Sequence, residues 1–166
     1  MKKIVDDFEK IVNKASYWIN WIAGIGLVAM LALITCDIIG NKVFKSPLPG
    51  AIEFVGFLGV VVIACSIAYT QVIHGHIEVE FLVRRLSKKA QNIVTCVVSV
   101  LGIALFTVLA WRSVDYGLKL QASGEVSMTQ EIPFYPFVHV IALCCALVAL
   151  VLITQLLKNI VRMTGK

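Results

Sequence analysis

The amino-acid sequence predicts an all-α integral membrane protein: four transmembrane helices, with interfacial amphipathic helices beside them and both termini in the cytoplasm. Three observations carry this expectation. Of 166 residues, 59% are hydrophobic and only 15% charged, with a mean hydropathy of +0.89. A soluble domain this small has too much surface relative to volume to hide that much apolar side chain from water. Next, four stretches carry no charge: 22 residues between Lys14 and Asp37, 20 between Glu53 and His74, 22 between Lys89 and Arg112, and 26 between Glu131 and Lys158. About 20 helical residues at 1.5 Å each cross the roughly 30 Å hydrocarbon layer, and none of the four shows the sustained alternation of a barrel strand. Finally, the basic residues are lopsided. The N-terminus, the loop after the second span and the C-terminus hold eleven, against four (Lys42, Lys45, Arg112 and Lys119) in the other two loops. Basic residues near helix ends stay on the cytoplasmic side, so the net charge of +5 is an orientation signal and implies no nucleic acid.

The chain is then a single membrane domain, 1–166, with spans at about 16–40, 51–73, 90–111 and 133–157. The first segment, 2–14, places Ile4, Val5, Phe8, Ile11 and Val12 on one helical stripe opposite Lys, Asp and Glu, the pattern of a helix lying in the membrane interface. Tyr17, Trp18 and Trp21 follow at the headgroup level such rings favour. No small-residue cleavage site follows the start, so the first helix is expected to be retained. Asp37 falls just inside the far interface, where it reaches headgroups, pairs with Lys42 or Arg112, or contacts a partner chain. Pro47 and Pro49 then forbid helix and Gly50 permits a tight turn. Glu53 sits in the first turn of the second span, where a carboxylate meets the positive end of the helix dipole. After that span, Val79, Leu82, Val83, Leu86 and Ala90 recur at helical spacing beside Arg84, Arg85, Lys88 and Lys89. This predicts a second interfacial helix over 77–89 against anionic lipid. The segment from Arg112 to Ile132 is expected as the longest external loop. None of the spans is expected to carry a charge near its centre.

Five cysteines, Cys36, Cys65, Cys96, Cys144 and Cys145, lie in or at the edge of the spans. Their odd number and lack of Cys-x-x-Cys spacing suit packing rather than a disulfide or dithiol role. The small pairs Ala64 with Ala68, Ala142 with Ala146 and Cys36 with Gly40 let helices approach closely. His74, His76 and His139 are not matched at one depth, as a haem site would require, and His74, His76 and Glu78 lack a fourth ligand for a structural metal. There is no phosphate loop, zinc helix or nucleophile elbow. The expectation is therefore no catalytic, cofactor-binding or metal residues, and no enzyme.

Three segments carry a resemblance. DIIGNKVF, from Asp37 to Phe44, leads into SPLPGAIEF; HGHIEVEFL runs from His74 to Leu82; SGEVSMTQEIPFYP runs from Ser123 to Pro136. In this order, across about residues 16–157, the chain resembles the small membrane subunit (DctQ type) of tripartite ATP-independent periplasmic (TRAP) transporters. The resemblance implies an accessory scaffold subunit in the bacterial inner membrane. It would pair with a large membrane subunit holding the substrate and sodium sites, and be served by a periplasmic substrate-binding protein. The system would take up organic acids, C4-dicarboxylates or related carboxylates and sulfonates, on the sodium gradient. Pro49, Gly50, Glu53, Gly75, His76, Glu78 and Pro133 would be structural signature positions, and Asp37, Asp115, Glu125 and Glu131 candidate partner contacts. The rival classes are a small homodimeric multidrug exporter, which needs an essential carboxylate deep in its bundle, a haem or dithiol redox subunit, and a membrane assembly factor.

Overall fold

The computed structural model describes residues 2–73 and 88–164. The expected signature residues Gly75, His76 and Glu78, and all but the end of the expected interfacial helix 77–89, lie outside the described residues. Four helices account for most of the rest: α1 (Lys2–Phe44), α2 (Ala51–Val72), α3 (Lys88–Ser123) and α4 (Tyr135–Thr164). Each contains a segment long and apolar enough to cross a membrane, so the predicted all-helical, four-span class holds.

Two boundaries differ from expectation, for the same reason. Segment 2–14 is not a separate element but the first part of α1, which runs 43 residues, roughly 65 Å at 1.5 Å per residue. No glycine or proline interrupts the chain before Gly24, and the helix passes straight through the charges. Likewise α3 does not stop at Arg112. It continues three turns to Ser123 and ends where Gly124 takes φ 68° and donates its N–H to the Leu120 carbonyl at 3.1 Å, a glycine C-cap. The α3–α4 loop is therefore short, 124–134, closed by an antiparallel bridge between Val126 and Pro133. Charge marks where a chain prefers water, whereas glycine and proline mark where a helix can end.

α4 packs against the other three helices, and α2 against α1 and α4. Buried Ala23 of α1, Ala64 and Cys65 of α2 and Cys144 of α4 form one cluster, while Ala68, Val148 and Leu152 form a second that receives Ile103 and Phe106 of α3. Small side chains permit this proximity. A Cβ on Gly26 would meet Val62 at 2.9 Å, and one on Gly117 would strike the His139 ring at 2.6 Å. Of the expected small pairs, Ala64 and Ala68 are buried, but Ala146 and Cys36 are exposed. Gly40 packs on its own following loop, with its carbonyl accepting Ser46 N–H at 3.2 Å.

The first cluster also fixes depth. Ala23, Ala64 and Cys144 each lie near the middle of their helix's uncharged stretch, so the apolar belts of α1, α2 and α4 coincide. α3 is out of register with them. Its contacts on α4 run from Cys96 against Asn159, through Gly102 against Leu152, to Gly117 against His139. Interpolating along this antiparallel ladder, Arg112 comes about level with Leu143, at the centre of the other belts. The uncharged stretch of α3 is displaced toward the end of the bundle carrying the chain termini by about ten residues, roughly 15 Å. The expectation of uncharged span centres thus fails for α3, because register between helices is set by which small residues meet, which single-span composition does not encode.

Gly117 and Gly24 make a controlled pair. Gly117→Val is expected to push α3 from α4 at His139 and lower stability by about 1–3 kcal/mol, as overpacking does. Gly24→Ala, whose added Cβ would meet nothing within 4 Å, is expected to be neutral or to stabilise by up to about 1 kcal/mol. Thermal unfolding of the purified protein in detergent checks both; equal effects would refute the packing assignment.

Candidate functional site

The most organised polar site lies at the end of the bundle opposite the termini and is built around one carboxylate. Lys45 leaves α1 in the left-handed region at φ 51°. The Pro47 to Pro49 segment cannot continue a helix, and Gly50 at φ 77° turns the chain into α2. Glu53 therefore stands in the first turn of α2, facing loop 124–134. Its carboxylate accepts the Ser127 hydroxyl at 2.8 Å, the Thr129 N–H at 2.8 Å and the Gln130 N–H at 3.1 Å. Ser127 in turn accepts the Ile132 N–H on its hydroxyl oxygen at 3.1 Å and donates its own N–H to the Ile132 carbonyl at 2.9 Å. Gln130 reaches back, donating Nε2 to the Pro49 carbonyl at 3.1 Å. Glycine is required at position 50 twice over: for its positive φ, and because a Cβ there would run into the Gln130 side chain.

Pro49, Gly50, Glu53 and Pro133 are thus brought into one assembly by residues far apart in sequence. Beneath it, Phe57 stacks on Phe137, with ring centroids 4.2 Å apart. Asp37 supports the same region: its Oδ1 accepts the Leu48 N–H at 2.9 Å, holding the α1–α2 connection. Glu125 and Glu131 remain exposed on the loop, with Glu131 at φ 53°. Asp115 is not a loop residue but lies on α3, paired with Lys119 one turn on at 2.9 Å. Chemically, the carboxylate is engaged by loop donors, so the arrangement holds two connections together rather than presenting an acid or base to a substrate.

A second polar layer ties the opposite end. Lys158 of α4 donates to both carboxylate oxygens of Glu9 at 2.8 and 2.7 Å. Gln71 and Gln155 interlock, one Nε2 reaching the other's Oε1 and the return Nε2 reaching the Gln71 carbonyl, each at 3.1 Å. Asn159 donates to the Cys96 sulfur at 3.5 Å. Between the layers, Cys144 and Cys65 approach to 3.9 Å as free thiols. The His139 Nδ1 lies 2.7 Å from the Tyr135 carbonyl, which can only accept, so that nitrogen carries the proton. Among the described residues, no three His, Cys, Asp or Glu side chains converge to hold a metal ion.

Sequence reasoning missed Ser127, Thr129 and Gln130 as partners of Glu53, and the glutamine pair. The Ser127 hydroxyl signals a donor without naming an acceptor 74 residues away, and the Thr129 and Gln130 N–H groups are donors any residue but proline supplies. Gln71 and Gln155, polar residues inside otherwise apolar stretches, were visible signals.

A family model described as "Tripartite ATP-independent periplasmic transporters, DctQ component" matches residues 30–162. That interval contains Asp37, the Glu53 assembly, all of α3 and most of α4. No curated protein matches the chain.

Replacing Glu53 by Ala is expected to accelerate hydrogen exchange across peptide 124–134 by roughly tenfold, as two loop amides lose their acceptor, while Asp115→Ala leaves it unchanged. Exchange measured on protein in lipid nanodiscs checks this, and an unaltered rate in Glu53→Ala would show that the carboxylate does not hold the loop.

Proposed function

We propose that the chain, which belongs to the DctQ component family of tripartite ATP-independent periplasmic transporters, serves as the static small membrane subunit of a sodium-driven organic-acid uptake system. The family makes it a small membrane component of such a transporter. The finer reading adds that it pairs with the large membrane subunit, which holds the substrate and sodium sites. A periplasmic binding protein delivers a C4-dicarboxylate or related carboxylate or sulfonate, and both termini of this chain face the cytoplasm of a bacterial inner membrane.

The observation that carries the scaffold role is the tying of the bundle at both of its ends. Glu53 fastens the loops at one end, and Glu9–Lys158 with Gln71–Gln155 fastens the helices at the other. Between them the helices meet through alanine, cysteine and valine in close contact. A body that must not deform while a neighbouring domain moves is served by such fixed contacts. A subunit that itself alternated between access states would need a hinge or a broken helix at mid-depth, and α1, α2 and α4 cross their common centre as unbroken helices.

The test is reconstitution. Proteoliposomes containing this chain, its large subunit and the binding protein are expected to accumulate a labelled dicarboxylate under an inward sodium gradient. Omitting this chain should abolish uptake, and charge reversal at the exposed Glu125 and Glu131 should weaken it while leaving assembly with the large subunit intact. Full uptake without this chain, or export of a cationic dye by this chain alone, would overturn the reading.

A further inference from the structure

The outer surface of α3 presents a second problem for a helix in lipid. Leu101, Leu105 and Val108, exposed at 65%, 58% and 55%, line up at helical spacing with Arg112, Asp115 and Lys119. The α4-facing side is elsewhere on the helix, at Ile103, Phe106, Gly117 and Leu120. Arg112 is therefore turned away from α4, and it is exposed. Within the stripe Lys119 pairs with Asp115. Arg112 also interacts electrostatically with Asp115 but forms no ion pair within 4 Å among the described residues, and one carboxylate against two cations leaves the stripe with one net positive charge.

By the register of α3 on α4, this charge lies about level with the Ala23, Ala64 and Cys144 cluster, in the middle of three coincident apolar belts. Hydrocarbon cannot be the neighbour of that face, because an ionisable side chain at mid-depth faces a protein interior or a water-filled space. A lipid phosphate would have to leave the headgroup layer to reach it. A second copy of this chain, related by a two-fold axis along the membrane normal, would set Arg112 at the same depth as its own counterpart and add a second positive charge.

We infer that the Leu101 to Lys119 face of α3 is the surface on which the large membrane subunit docks, and that this partner presents a carboxylate at mid-membrane depth opposite Arg112. The inference rests on the pairing proposed above and names the face that makes it. Apolar Leu101, Leu105 and Val108 supply close packing on the terminal side of the charge, Trp111, 76% exposed, flanks it, and the ion pair sets depth and register between the subunits. Charge pairs buried between partners fix register and specificity in this way.

A photoreactive amino acid at Leu105 or Val108 leaves Arg112 intact and tests the face directly in the assembled transporter, co-expressed with its large subunit. Probes at Ile25 and Leu31, exposed on α1, serve for comparison. Ultraviolet irradiation of membranes is expected to join the α3 probes to the large subunit. In parallel, Arg112→Glu should lower the large subunit recovered with the tagged chain at least tenfold, with Arg112→Lys close to wild type. Adducts only from the α1 probes, adducts to a second copy of this chain, or adducts to lipid alone would each overturn the docking face. Failure of the unmodified chain to co-purify any large subunit would instead overturn the pairing on which it rests.

Discussion

Apolar helices gain nothing from the hydrophobic effect by leaving lipid for one another, since hydrocarbon solvates them as well as a neighbouring helix does. Cohesion must come from close contact and from polar groups that find partners only in the folded bundle. This constraint organises the molecule. α4 meets its neighbours through Ala142, Cys144, Cys145, Val148 and Leu152, all buried, and a Cβ at Gly26, Gly102 or Gly117 would press on the facing Val62, Leu152 or His139 side chain.

Polar pairing is placed where it contributes most. The Glu53 assembly and the Glu9–Lys158 pair lie toward the two ends of the bundle, where charged groups still have access to interfacial water. The interlocked glutamines, Gln71 and Gln155, use neutral amides nearer the apolar region. A charge at the centre of a span costs about 2.5–3.5 kcal/mol even on insertion scales. Placing charged pins at the ends and an amide pair further in keeps that cost down while locking helix register. Arg112 stands apart from this economy, which is why its surroundings carry information about a partner.

The fold class was legible because it depends on quantities each span carries by itself: length, charge and periodicity. The start of α2 was legible to the residue, since Pro47, Pro49 and Gly50 leave the helix nowhere else to begin. The end of α3 was not, because Arg112 suggests water while the helix runs on through Gly117 and is capped only at Gly124, and local sequence does not say which glycine turns left-handed. Pro49, Gly50, Glu53 and Pro133 were singled out by motif, yet their meeting across more than 70 residues depends on the Ser127 hydroxyl and the backbone N–H groups of Thr129 and Gln130, which sequence does not mark. Arg112 was visible from the start; its depth was not, because depth belongs to the packing of α3 on α4.

The Glu53 assembly joins a residue of the first helical hairpin to the connection within the second, and the Glu9–Lys158 pair joins residues 149 apart. Neither can close while the chain is still entering the membrane. The α1–α2 hairpin must wait, its Glu53 facing solvent or headgroups, until α3 has crossed and the 124–134 loop has followed. Lys158 of α4 then secures α1 through Glu9. Assembly of this bundle is thus ordered in time, the Glu53 tie waiting on loop 124–134 and the Glu9 tie on α4.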